Sequence, residues 1–253
     1  LHQSGYTEQA RALFDEVLTR ETLAKPSGAE FDNTLYRASA LLAEGRAKQA
    51  LTILEPFADS WRDFGKRFVP NGVKWLIVQA RAQAQLGQLD AARRSLARVL
   101  ELPTFNGSPP GDWDEHWAAL IDVAVQAGDL ASAQMAVAER GKTQLPASLD
   151  LSYLKFTAAH SGLKLRMNEG DAALALADGA LTHLQTHTKD RDFPYLRAEL
   201  LRARGAAHWQ LRQRDAAQRD LQAALALLQR YQVADSPALL ATRELLAQAR
   251  RAR

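Results

Sequence analysis

A helix-turn-helix pattern returns along this chain about every 41 residues, and it constrains the fold more than any other feature. The pattern is clearest in LGQLDAARRSLARVLEL at 86–102 and LRQRDAAQRDLQAALAL at 211–227, which are identical at nine of seventeen positions. A helical hairpin of this size cannot bury its apolar side alone, so its copies must stack on one another. The repeat therefore predicts an all-α array in which no strand is needed.

The turns of this pattern fall at intervals of 40 to 44 residues, at Gly5, Gly45, Gly87, Gly128, Asn168 and Arg212. Glycine and asparagine suit a left-handed helix end, whereas Arg212 must accept strain or adopt another turn. Alanine follows five positions after each turn, at Ala10, Ala50, Ala92, Ala133, Ala173 and Ala217. A small residue there predicts that the two helices of each hairpin approach closely.

The order of turn glycine, small residue and larger apolar residue resembles the tetratricopeptide repeat (TPR) over essentially the whole chain, and Gly205 in a first helix adds to the likeness. The usual TPR period is about 34 residues, and HEAT-type repeats share the longer period found here. We prefer the TPR interpretation because of the glycine and alanine positions. The resemblance implies a right-handed α-solenoid of TPR-like hairpins with a C-terminal capping helix, as one domain over 1–253.

Both ends of the chain carry further predictions. The pair Ser236 and Pro237 is typical of a helix start and predicts a closing helix over 236–251. The segment VADSPALLATRELLA at 233–247 is similar to repeat tails of bacterial serine/threonine kinases and winged-helix signalling regulators. The chain begins with Leu1, and its first turn precedes a predicted helix, Thr7 to Leu23, whose hairpin partner is missing. We therefore expect a fragment of a longer bacterial protein with an upstream signalling domain.

Composition narrows the class of function. The 24 arginines and 8 lysines are interleaved with acidic residues, which disfavours the basic stripe of a nucleic-acid binder. The absence of cysteine excludes disulfides and zinc-thiolate sites. No stretch approaches the apolar length of a membrane span, so direct membrane insertion is not expected. The compartment stays open between bacterial cytoplasm and periplasm.

Catalytic and metal chemistry have little support in the sequence. There is no phosphate-binding loop, no glycine-rich dinucleotide turn and no nucleophile elbow, and the histidines are scattered. His183 and His187 have the spacing of one helix face, but no third ligand accompanies them, so a solvated helix end is favoured over a metal site. We expect no enzyme activity, no cofactor and no metal in this segment.

Aromatic residues recur at helical spacing at Phe57, Trp61, Phe64 and Phe68, which predicts a stripe along an extended second helix. Such a stripe is more often core than a ligand-binding wall, because large rings bury much area. We therefore expect core packing here.

The resemblance also implies a concave groove lined by fixed positions of each first helix. This groove has mixed charge, and basic side chains and amides within it suit carboxylates and peptide backbone. The predicted function is a protein-interaction or sensor module that binds a partner polypeptide. Three alternatives stay open: solvated charges without a ligand, an oligomerisation spacer that could form a homodimer, and a small-molecule sensor. The predicted groove residues are Lys74, Arg81, Gln85, Asp122, Gln126, Lys155, Arg166, Glu199, Arg202 and Trp209.

Overall fold

The computed structural model describes residues 28–58, 63, 66–107, 109, 111, 113–143, 151–187 and 193–251, and within these ranges the fold is all-α. Short 3-10 helices at Glu55–Phe57 and Arg98–Glu101 extend two of the α-helices. The eleven α-helices are α1 Gly28–Ala43, α2 Ala47–Leu54, α3 Val69–Gln85, α4 Leu89–Ala97, α5 Asp114–Gln126, α6 Leu130–Lys142, α7 Leu151–Arg166, α8 Gly170–His187, α9 Pro194–Gln210, α10 Arg214–Tyr231 and α11 Pro237–Arg251.

The helices pair as five hairpins in chain order, and α11 closes the series. Each odd-numbered helix packs against the next odd-numbered one, from α1 through α3, α5, α7 and α9 to α11. The second helix of each hairpin also packs against the first helix of the following hairpin. Each hairpin thus buries its apolar side mainly against its neighbours in sequence, which is the packing expected of a repeated hairpin.

All five predicted turns in the described residues have the same left-handed conformation. Gly45, Gly87 and Gly128 have φ between 74° and 85°, Asn168 has φ 62°, and Arg212 has φ 60°. In each turn the amide after the turn residue donates to the carbonyl five positions earlier, as from Gln213 to His208 at 2.8 Å. Arg212 therefore keeps the common turn and accepts the backbone strain of a non-glycine residue.

The predicted close approach within the hairpins is confirmed. The alanines that follow each turn by five positions, Ala50, Ala92, Ala133, Ala173 and Ala217, are all completely buried. Gly205 on α9 is packed so closely that an added Cβ would lie 2.8 Å from Leu221 Cγ on α10. The first prediction of the series, at Ala10 and Gly5, lies outside the described residues, as does the predicted helix from Thr7 to Leu23.

Two of the four rings of the predicted aromatic stripe lie within the described residues, and their surroundings differ. The second helix of the first hairpin ends at Leu54 and continues only as the 3-10 helix Glu55–Phe57, because Pro56 lacks the amide that an α-helix needs. Phe57 belongs to the core, where its ring and that of Phe31 both contact Trp75. Phe68, in contrast, is half exposed. Trp61 and Phe64 lie outside the described residues.

The predicted closing helix is confirmed as Pro237–Arg251. Ser236 caps it, since its Oγ accepts a hydrogen bond from the Leu239 amide at 3.3 Å. Proline at the first helical position contributes no unpaired amide there.

The linker that precedes α11 reaches back to the first hairpin. The Val233 amide donates to the Glu44 carbonyl at 3.0 Å, and Gln232 Nε2 donates to the Ala43 carbonyl at 2.9 Å. The second of these bonds joins residues 189 positions apart. We call this contact between 43–46 and 232–236 the seam.

The seam is closely packed. Ser236 and Glu44 are buried, and an added Cβ on Gly45 would lie 2.3 Å from Ser236 Cβ. Arg46 Nε lies 3.3 Å from the Glu44 carboxylate, which neutralises that buried charge. The two ends of the described hairpin series are therefore held against each other.

Candidate functional site

The charged residues predicted for the groove lie at matching positions of successive first helices. Thirteen positions before each turn residue, the side chains alternate in sign along the series Asp32, Lys74, Glu115, Lys155 and Glu199. A second row, six positions before the turn, contains Arg81 and Asp122. Because the first helices pack in chain order, residues of opposite sign occupy equal positions on neighbouring helices, and two pairs of them form ion pairs. We call these seven residues and Arg202 the charged face.

One ion pair of this face joins α5 to α7. Lys155 Nζ lies 2.6 Å from Glu115 Oε1, and each side chain is somewhat more than a quarter exposed. Burial opposes ionisation of Glu115, but Lys155 and Lys74 outweigh it, so the pKa of Glu115 lies below its usual value. Glu115 therefore stays a carboxylate at neutral pH.

Lys74 lies beside this pair without a carboxylate of its own. Its Nζ lies 4.7 Å from the centroid of the Tyr36 ring, a cation–π contact. Burial lowers the pKa of Lys74, Glu115 raises it, and the like charge of Lys155 lowers it further; the net shift is downward. Two ammonium groups thus share the single carboxylate of Glu115.

A second ion pair joins α3 to α5. Arg81 Nη2 lies 2.9 Å from Asp122 Oδ2. Burial raises the pKa of Asp122 to about 6; Arg81 opposes this shift, and the like charge of Glu199 adds to it. The pKa of Arg81 is also raised, because Asp122, Glu199 and Glu115 together outweigh its burial. Burial is thus the main cause of the shift at Asp122, whereas neighbouring acidic groups cause the shift at Arg81.

Gly162 leaves α7 bare between these acidic groups. It occupies the same row as Arg81 and Asp122, and a Cβ added there would meet no atom within 4 Å. A glycine inside a helix costs stability relative to alanine, and close packing does not require this one.

Three predicted site residues form an unpaired row near the turns. Gln85, Gln126 and Arg166 each lie two positions before a turn residue and are exposed. None of the three forms a hydrogen bond or an ion pair with another of the described residues. We call these three residues the rim.

The last two predicted site residues have other surroundings. Arg202 is half-buried and lowers the pKa of Asp122 by its charge, so it belongs with the charged face. Trp209 packs against the cluster that contains Leu246 and Ala249 of the closing helix. Nine of the ten predicted residues thus belong to the charged face or its rim, and Trp209 packs against a core cluster.

Sequence reasoning missed three features of this site. The first is the alternation of charge between neighbouring helices. The sequence contains it, but it is found only by comparing the residues that lie thirteen positions before each turn. Tyr36 under Lys74 and the open space over Gly162 depend on three-dimensional contacts.

His116 is a further titratable group, adjacent in sequence to Glu115 but buried. Its Nδ1 has no hydrogen-bond partner among the described residues, and its ring packs edge-on against Trp117. Burial lowers the pKa of His116 to about 4, so the ring is neutral at physiological pH.

Metal and membrane features are absent from the described part of the chain. No cluster of three or more histidine and carboxylate side chains with metal-binding geometry occurs there. The helices in the same ranges are too short or too polar to cross a bilayer. The predicted His183 and His187 pair is not tested as a ligand pair, because the His187 side chain lies outside the described residues.

Comparison with profiles of known protein families, with curated proteins and with solved structures finds no match.

Proposed function

We propose that this chain is a non-catalytic protein-interaction module whose hairpins form a right-handed, TPR-like superhelix. The charged face and the rim are its concave surface, and an extended segment of a partner polypeptide binds along it. In a longer protein, occupancy of this surface regulates an attached signalling domain.

The observation that carries this proposal is the rim. Gln85, Gln126 and Arg166 hold equivalent positions on three successive first helices, and all are exposed and have no polar partner among the described residues. Neighbouring packed helices lie about 8–10 Å apart. This distance corresponds to about three residues of extended chain at roughly 3.3 Å per residue. Amide and guanidinium groups at that spacing suit the carbonyl groups of an extended peptide.

The test is selection of binding peptides from a random displayed library, followed by a triple variant of the rim. We expect Q85A/Q126A/R166A to weaken the selected peptides by about tenfold or more, since each replaced group contributes about one hydrogen bond. The matched control is R94A/Q134A/Q222A, which removes one guanidinium and two amides from exposed positions of second helices. Equal losses in both triple variants, or no selected peptide, would reject the proposal.

Charge reversal of Arg81 is a poorer test of the same idea. Arg81 is paired with Asp122 and lies near Glu115 and Glu199, so a new acid there would repel three carboxylates. Loss of binding would then be indistinguishable from loss of structure.

A further inference from the structure

The charged face contains an imbalance between Lys74, Lys155 and Glu115. Lys155 bonds Glu115 directly, at 2.6 Å, while Lys74 has an aromatic ring as its close contact. Lys155 and Glu115 both lie near enough to Lys74 to affect its pKa. These three groups therefore carry two positive charges and one negative charge, and the Glu115 carboxylate is bonded to Lys155 rather than to Lys74.

Arg81 adds a further positive charge near Glu115. Arg81 is within electrostatic range of Glu115, and its Nε is a buried donor without an acceptor among the described residues. Arg81 is thus a third cationic neighbour of Glu115, bonded to Asp122 through Nη2 but with no acceptor for its Nε among the described residues. If another carboxylate took the place of Glu115 beside Lys155, Glu115 could turn towards Arg81 without losing its charge compensation.

We infer that Lys74 and Lys155 form an anion subsite for an acidic side chain of the bound polypeptide, and that Glu115 occupies this subsite when no partner is present. The inference rests on the proposed function and adds the chemical class of the partner. The incoming carboxylate bridges the two ammonium groups, and the Tyr36 ring holds Lys74 in position. Only partly exposed groups are involved, so the partner's carboxylate gains two charge-assisted hydrogen bonds away from bulk water.

An acidic polypeptide fits this face better than a nucleic acid does. The lysines are interleaved with Asp32, Glu115 and Glu199, so the face offers one local positive subsite rather than a continuous basic stripe. A phosphate backbone carries evenly spaced charge and would meet these carboxylates.

The experiment compares peptides selected from a random displayed library on the wild-type chain and on three variants. On the wild-type chain we expect enrichment of aspartate and glutamate, and on K74Q/K155Q we expect that enrichment to disappear. A selected acidic peptide should bind the wild-type chain about tenfold more tightly than its counterpart with glutamine in place of glutamate. K142Q is the matched control, because Lys142 is an exposed lysine of α6 paired with Glu139, and it should leave this ratio unchanged.

E115Q provides the sharper test, because a merely structural role predicts the opposite result. If Glu115 occupies the subsite in the absence of a partner, E115Q removes a competing carboxylate. The acidic peptide should then bind severalfold more tightly, and the affinity for the neutral peptide should not increase. Circular dichroism establishes that each variant keeps its helices. Weaker binding of the acidic peptide to a folded E115Q variant would overturn the inference.

The remaining outcomes separate this inference from the proposed function. Selected peptides that use the rim but show no acidic enrichment would overturn the subsite and leave the proposed function standing. A library that yields no binding peptide would overturn both. Displacement of the acidic peptide by a single-stranded oligonucleotide, more strongly than by polyglutamate, would also overturn the inference.

Discussion

An ion pair joins α5 to α6, and further ion pairs lie on the charged face. All of them join a basic to an acidic side chain, but they differ in burial and in how many of their polar groups have partners. Arg140 Nε and Nη2 lie 2.7 Å and 3.3 Å from the two carboxylate oxygens of Asp114. Its guanidinium also lies 5.8 Å and 5.5 Å from the ring centroids of Tyr153 and Phe156 on α7. Arg140 and Asp114 are only 13% and 10% exposed. Arg140 therefore ties its own hairpin to α7, and both carboxylate oxygens of Asp114 are bonded.

The charged face differs in each of these respects. Lys155 and Glu115 are 29% and 28% exposed, no carboxylate of the described residues pairs with Lys74, and Gly162 leaves open space on α7. Partly satisfied groups are the ones that a partner can recruit at low cost, because little existing bonding is lost. The contrast separates residues that hold the hairpins together from residues that are available for recognition.

The largest expected effect concerns the buried ion pair between Arg140 and Asp114. Arg140→Met should lower the free energy of unfolding by about 3–5 kcal/mol, because it leaves the Asp114 carboxylate buried without its partner. Arg93→Met is the matched control, since Arg93 pairs with Asp129 at 46% and 35% exposure. That exposed pair should contribute less than about 1 kcal/mol. Urea unfolding of both variants gives the comparison, and equal losses would contradict it.

The next effect is a pH dependence that arises from His116. Its pKa is about 4 in the folded chain and 6.5 ordinarily, so the unfolded chain binds the proton more readily. Stability from this group is complete above about pH 6.5 and is lost as the pH falls towards 4, by about 3 kcal/mol. H116Q should remove most of this acid loss, as measured by urea unfolding across that range.

Asp122 has the opposite effect on the pH dependence of stability, and it therefore provides a second test. Its pKa is raised from 3.8 to about 6, so the folded chain binds the proton more readily and gains stability as the pH falls through that window. D122N should therefore steepen the acid loss that His116 causes. A D122N variant whose stability varies with pH just as the wild type does would show that the charged face does not hold this carboxylate as described.

A further prediction concerns how closely the seam is packed. Gly45→Ala and Gly87→Ala place the same strain on two turns with φ 85° and 76°. Only Gly45 faces Ser236, so G45A should lose about 1–3 kcal/mol more than G87A. Ser236→Gly should recover part of that difference. Hydrogen exchange at the Val233 amide reports the seam directly, and similar exchange rates in the two alanine variants would reject the prediction.

The smallest effect concerns two glycines inside first helices. Gly205→Ala would press on Leu221 and should cost about 1–3 kcal/mol. Gly162→Ala meets no atom within 4 Å and should stabilise the chain by up to about 1 kcal/mol, because alanine favours helix. Thermal unfolding gives both values. A destabilised G162A variant would show that the space over the charged face is not open.

Much of the fold was predictable because it depends on local chemistry that repeats. Five left-handed turns were located from glycine, asparagine and their spacing, and even Arg212 adopts the common geometry because the flanking hairpin imposes it. The alanines after the turns are buried as expected, since helix approach distance depends on the size of one side chain. The extended aromatic helix was wrong because Pro56 was not weighed against the spacing of the rings.

The site was predictable only as a set of positions. Register from the turns placed Lys74, Arg81 and Lys155 on a common surface, but it could not say which of them already have partners. That answer depends on side-chain reach between helices about 40 residues apart in sequence, as in the bond from Lys155 to Glu115. For the same reason the partial burial of Trp209, which packs against the cluster that contains Leu246 and Ala249, was not predicted.

The seam changes how an array of this kind should lose its structure. In a linear series of repeats the terminal units fray first, because each has a neighbour on one side only. Here the linker after the fifth described hairpin supplies hydrogen bonds to the first, so each end protects the other. We expect the described hairpins to unfold in one cooperative step, with amide exchange at 43–46 and 232–236 as slow as in the middle hairpins.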